Sequence, residues 1–218
     1  MANPISSQLG DIITGKEKDD NMTYYDYDIE KAKQILDDAG WTVGSDGIRE
    51  KDGQKLTVRM ISTKGKEQLD TMLPMLEKAW GDELGVDFKT NLSEFNTMVA
   101  TVQGDDTVND WEVSYMGWGF GSGDDTGTNL LYQTGQTDNK ARLSDPDLDA
   151  LLDTALHTTD QAASTAAYKE AYEKISALCP YVAINGSSYY DLYNKKIKNL
   201  DTAPLYDFVK ALDKATIE

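Results

Sequence analysis

Cysteine and histidine are nearly missing from this chain, with one of each, Cys179 and His157, in 218 residues. One cysteine excludes an intrachain disulfide, and sparse cysteine by itself suits a reducing compartment. One thiol and one imidazole do not make a zinc framework, which needs several convergent ligands. A Ser–His–Asp hydrolase would have to use His157, and no G-x-S-x-G elbow surrounds any serine: Ser122 has Phe120 and Asp124 two residues away. Positive charge is also scarce. Against 38 Asp and Glu stand 21 Lys and Arg, a net charge of −17 that repels phosphate backbones and argues against a nucleic-acid partner. Such acidity is ordinarily a well-solvated surface, and it would also steer a cationic ligand. Long apolar runs are lacking too. No stretch of about 18 apolar residues occurs, and no basic–apolar–small leader, so any export signal is expected outside these residues.

The glycines at 117, 119, 121 and 123 fail as a nucleotide site. Ser122 stands where the third glycine of a dinucleotide fingerprint belongs, and the P-loop lysine is missing. Asp124 and Asp125 lack the spaced acidic pattern of a calcium loop. No cofactor and no metal are expected.

What is present is a run of short elements sized for one domain with a real core. Residues 1–27 are polar and read as an extended lead-in, its end anchored by Tyr24, Tyr25 and Tyr27. Asp28 can cap a helix whose Ile29, Ala32, Ile35, Leu36 and Ala39 recur at helical spacing, and Gly40 can stop it. Asp52-Gly53 between Ile48-Arg49-Glu50 and Lys55-Leu56-Thr57 predicts a hairpin, and Leu56, Val58 and Met60 a strand. Leu69, Met72, Leu73, Leu76 and Trp80 form a helical stripe that Pro74 should kink or place near a helix start. Residues 86–92 read as a strand. Phe95, Met98, Val99 and Val102 read as the buried face of a helix capped by Ser93.

Residues 111–117 are the central-strand candidate, followed by a Gly/Asp loop over 117–128 of a length that packing does not demand. Helices are predicted over 147–157, ending at His157, and over 161–178, with Ala167, Tyr168, Ala171, Tyr172, Ile175 and Leu178 inward. Cys179, between Leu178 and Pro180, reads as a buried structural thiol. Strands alternating with helices predict an α/β fold around a mixed sheet flanked by helices.

The ordered series helix, Ala39-Gly40-Trp41, DGIREKDG hairpin and strand over 27–62 resembles one family. It is similar to the extracytoplasmic solute-binding proteins of ABC importers, of the oligopeptide- and dipeptide-binding type. Further along, Leu84–Phe88 with Ser93–Asn96, Trp111–Gly119, Asp145–Leu152, Cys179–Ile184 and Asn194–Leu200 follow the family's order. The resemblance implies a receptor without catalysis. Residues 1–218 would be its C-terminal lobe, one half of a periplasmic-binding-protein type II clamshell. Its expected partners are a small peptide or similar solute, the N-terminal lobe of the same receptor, and an ABC permease in the membrane. It would lie outside the bacterial cytoplasm, in the periplasm or as a surface lipoprotein.

The candidate site follows from GWGFGSGDD. A strand end beside glycines lets a ligand approach the backbone, and an indole offers a flat wall, although a tryptophan there can equally plug the core. Family position favours ligand contact for Trp118, with Gly119, Phe120, Gly121, Asp124 and Asp125 in the same loop. Phe95 and Tyr206 are further contacts by family position, and ordinary core candidates otherwise. Peptide binders of this family carry an Asp where this chain has Gly121, so Asp124 or Asp125 takes that role or the ligand lacks an ammonium group. The alternatives are an oligosaccharide or other non-peptide solute, favoured by Trp118 and Phe120, and a hydrolase using Asp124 or Asp125 with His157.

Overall fold

The computed structural model describes residues 21–107, 109–117, 125–182, 184, 192–200 and 212–218, without the side chains of residues 125 and 126. Two compact units divide the chain, one of residues 25–118 and one of residues 1–24 with 119–218.

The unit of residues 25–118 starts with helix α1, Ile29–Asp38, whose N-cap Asp28 accepts a hydrogen bond from the Lys31 N–H. Gly40, at φ +86°, reverses the chain after it. Strands β1 (Thr42–Val43), β2 (Arg49–Lys51) and β3 (Gln54–Lys55) form a small antiparallel sheet. Asp52 and Gly53 both have positive φ, 52° and 76°, as the tight hairpin requires.

Arg49, the one charged residue of that hairpin to be buried, holds this end together. Its guanidinium donates to the Asp37 carboxylate at 2.5 Å and to the Trp41 and Leu84 carbonyls at 2.6 and 2.8 Å. Its N–H donates to the Gly85 carbonyl. Gly85 has φ +71°, and a Cβ there would lie 2.6 Å from the Gly47 carbonyl oxygen, so only glycine lets these loops approach.

Strand β4, Thr57–Thr63, lies between β5 (Asp87–Ser93) and β6 (Val113–Tyr115), parallel to both. Met60, Ile61 and Ser62 are buried in succession, so both faces of β4 are covered. β4 is therefore the central strand, and the 111–117 candidate is a three-residue neighbour. The antiparallel pairs expected of a mixed sheet lie in separate small sheets.

Helix α2, Glu67–Leu76, carries Pro74 inside it and runs into a π-helical turn, Glu77–Glu83. A proline has no N–H to give and crowds the preceding turn, and the wider turn just after it accommodates the misfit. Helix α3, Phe95–Gln103, buries Met98 and Val102 against Ile61, with Val99, Trp111 and Met116 alongside. Two expectations fail here. Ser93 ends β5 and leaves the cap position to Glu94, and Phe95, the first residue of the helix, is 57% exposed.

In the other unit, helix α4 spans Asp125–Tyr132 and takes the last four residues of the 117–128 stretch expected to be loop. Helices α5 (Pro146–His157) and α6 (Gln161–Leu178) fall where helical spacing put them. Asp145 and Asp160 cap them, each accepting from two backbone N–H groups. Leu148, Leu152, Ala167, Tyr168, Ala171 and Tyr172 are buried. Leu178 is exposed, and Cys179 is an exposed thiol in left-handed backbone at the end of α6, contrary to the buried thiol expected. Tyr24, Tyr25 and Tyr27 are exposed as well. The Asn21 amide donates to Glu173, and the Thr23 N–H to the Ser176 hydroxyl. Strands β7 (Ile197–Lys198) and β8 (Thr216–Ile217) pair antiparallel.

Candidate functional site

In an open parallel sheet, ligands bind beyond the carboxyl ends of the strands, where connections leave in opposite directions. The unit of residues 25–118 has that arrangement. From β4 the chain crosses to β5 on one side, then returns past β4 to β6 on the other. Thr63 is registered with Ser93, and Ser62 with Tyr115, so three strand ends meet at one edge.

Backbone and side chains fix that edge tightly. The Lys64 N–H donates to the Ser93 carbonyl at 2.9 Å, and the buried Ser62 hydroxyl donates to the Tyr115 carbonyl at 2.9 Å. Lys64 and Glu94 form a 2.6 Å ion pair between exposed side chains, worth little to stability. The Lys66 ammonium sits 5.4 Å from the centre of the Tyr115 ring. Thr63 Oγ1 is buried and has no hydrogen-bond partner among the described residues. Phe95 is exposed in the first turn of α3, and a Cβ at Gly117, two residues past β6, would meet nothing within 4 Å among the described residues. The edge thus offers an exposed ring, a cation over a ring and an approachable backbone.

The opposite end of the sheet is already charge-satisfied. Lys89, 2.7 Å away, holds the Asp87 carboxyl below the usual carboxylate range, and Arg59 does the same to Glu112. A groove of about 450 Å³ among Asp46, Glu77, Asp82, Asp87 and Phe88 is acidic, but Asp46 and Asp87 are paired with Lys55 and Lys89. Among the described residues, no three His, Cys, Asp or Glu gather as metal ligands.

Of the residues singled out by sequence, Phe95 stands at this edge. Trp118, Gly119, Phe120, Gly121, Asp124 and Tyr206 lie outside the described residues. Asp125 is the first residue of α4, and its side chain lies outside them too. His157 ends α5 with Nδ1 3.0 Å from both the carbonyl and the carboxylate of Asp153, so it is engaged on its own helix. Sequence reading missed Thr63, Lys66 and Tyr115. The signal for them was positional: Thr63 and Tyr115 end strands of the parallel sheet, and Lys66 stands at the start of the helix that follows β4.

Residues 2–141 match the model of the bacterial extracellular solute-binding proteins, family 5 Middle. The oligopeptide-binding protein AppA of Bacillus subtilis is 24% identical over 168 residues, covering 75% of this chain. This chain spans 30% of that relative's length. The structure of B. subtilis AppA in complex with a nonapeptide superposes with a TM-score of 0.74 at 21% identity, over 93% of this chain and 40% of that one. NikZ from Campylobacter jejuni in complex with Ni(L-His) gives 0.70 at 20% identity, over 91% of this chain and 41% of that one. With the family model covering well over half its residues and its fold shared with these receptors, the chain belongs to the bacterial extracellular solute-binding proteins of family 5.

Proposed function

We propose that this chain is the C-terminal lobe of a two-lobed receptor that captures small peptides outside the bacterial cytoplasm and delivers them to an ABC permease. The observation that carries the reading is the carboxyl edge of the parallel sheet, with its strand ends in register and Phe95 exposed beside them. A solute would lie along that edge, its backbone hydrogen-bonded and its side chains in hydrated pockets, closed over by the N-terminal lobe. Trp118, Gly119, Phe120, Gly121, Asp124, Asp125 and Tyr206 complete the proposed contacts. Such a receptor binds and releases without chemistry.

A non-peptide solute is the second reading, favoured by Gly121, where peptide binders carry an Asp, and by the nickel–histidine complex named for NikZ. Mass spectrometry of solute co-purifying with the full-length receptor separates the two. Peptides released on denaturation support the first reading. A stoichiometric sugar or metal chelate without peptide supports the second.

A further inference from the structure

One cation at the carboxyl edge of the parallel sheet has no counterion. Lys66 lies half-buried in the turn between β4 and α2, its ammonium 5.4 Å from the centre of the Tyr115 ring. Among the described residues, that ammonium has no ion pair and no hydrogen bond. The other cations of the 25–118 unit that are withdrawn from full exposure each face a carboxylate: Lys33 faces Glu30, Arg49 faces Asp37 and Arg59 faces Glu112. Even the exposed Lys64, two residues away, is paired with Glu94. Carboxylates are plentiful, with 38 Asp and Glu in the chain. Glu67 and Asp70 stand in the first turn of α2, yet both are exposed and neither is paired with Lys66.

The tyrosine ring is an incomplete partner. Its face attracts the charge, but an ammonium carries three N–H donors, and a ring face satisfies them only weakly. Partly desolvated donors without acceptors cost free energy, which an incoming anion restores through charge-assisted hydrogen bonds. The ring also steadies the long lysine stem before the anion arrives, so less rotamer freedom is lost on binding. A purely structural lysine would do no more than cover Tyr115 with its apolar stem. Methionine at 66 keeps an unbranched stem over the ring and removes the charge, so it separates the two roles.

We infer that Lys66, held over Tyr115, is a specificity-determining residue of the solute site and receives a carboxylate of the captured solute. This rests on the proposed capture of peptides at the sheet edge. A peptide offers that group at its C-terminus whatever its sequence, and on Asp or Glu side chains. A lysine ammonium is a point charge and takes either source.

The test uses the full-length receptor and three mixtures of random-sequence nonapeptides, with capture quantified by mass spectrometry. One mixture lacks Asp and Glu and ends in amides, the second has the same sequences with free carboxyl ends, and the third is amidated with a single Glu. The unsubstituted receptor should capture one of the charged mixtures about tenfold over the neutral amides, and the one preferred names the source of the carboxylate. Lys66→Met should bring all three within about twofold of one another with melting temperature held within a degree or so, and Lys66→Arg should keep the preference. Should the Met variant fail to fold, Lys66→Gln removes the charge and keeps a polar end. Equal capture of the three mixtures by the unsubstituted receptor, or a preference that survives in the Met or Gln variant, overturns the role of Lys66 alone. Absence of capture of all three by the unsubstituted receptor overturns the peptide reading, and this inference with it.

Discussion

The unit of residues 25–118 and the α4–α6 helices solve the problem of burying polar groups in opposite ways. In the first, the centre is a parallel sheet with apolar cover, and the buried charge, Arg49, is set at the hairpin end against a carboxylate and two carbonyls. In the second, polar groups enter the core itself, as tyrosine hydroxyls meeting a threonine and an asparagine between three helices. A sheet takes its geometry from backbone pairing, and the buried Ser62 hydroxyl only reinforces it by donating to the Tyr115 carbonyl. Packed helices have no such ladder, and specific side-chain bonds supply the register instead.

This contrast can be broken first at Arg49. Arg49→Ala leaves the Trp41 and Leu84 carbonyls without their donor, while the exposed Asp37 carboxylate returns to water, and should cost about 2–4 kcal/mol. Hydrogen exchange should show the loss in β2, β4 and β5 while α5 and α6 keep their protection. Loss spread equally over both units would show that Arg49 does not serve the hairpin end alone.

A smaller effect is expected of Tyr168→Phe, about 1–3 kcal/mol, because Asn129 Oδ1 loses its buried donor. Chemical denaturation should register it, with protection reduced first in α4. A neutral result would mean that the tyrosine acts by packing alone.

The smallest change is expected at Asp145. Backbone bonding to the Leu148 N–H, then Lys174 beside it, holds this carboxyl below its ordinary value of 3.8. A carboxyl with a lowered folded-state pKa adds stability that is complete above the unfolded value. That stability is lost as the pH falls below 3.8 through the folded value. Melting temperature should therefore fall on acidification below about pH 4, and Asp145→Ala should make that fall shallower while lowering the neutral-pH value modestly. An unchanged acid limb in the variant would assign the effect to other carboxylates.

Local signals carried most of the fold. Asp28, Gly40 and Asp52-Gly53 mark ends and turns through chemistry that acts within a few residues, and each stands where that chemistry predicts. Three features were not legible, two of them because they depend on distant partners. Strand β4 is central because β5 and β6 flank it, which alternation in 56–61 does not reveal. Helix α4 holds Gly127 and Thr128 among polar neighbours, so its spacing reads as loop until α5 and α6 supply the other half of its hydrogen bonds. Cys179 lies one residue beyond an apolar stripe, and the left-handed turn there puts its thiol outside. Of the candidate site, Phe95 was legible as an aromatic at a helix start. Thr63, Lys66 and Tyr115 become neighbours only through parallel register.

The central claim is that the solute meets the carboxyl edge of this sheet, and Phe95→Ala in the full-length receptor tests it most directly. Because the ring is 57% exposed, its removal should leave the melting temperature within a degree or so, that is, within about 0.5 kcal/mol. If the ring walls the solute, calorimetry with the peptide that co-purifies should show binding weakened by about 1–2 kcal/mol. Affinity equal to that of the unsubstituted receptor, with melting unchanged, would contradict the account and move the site away from this edge.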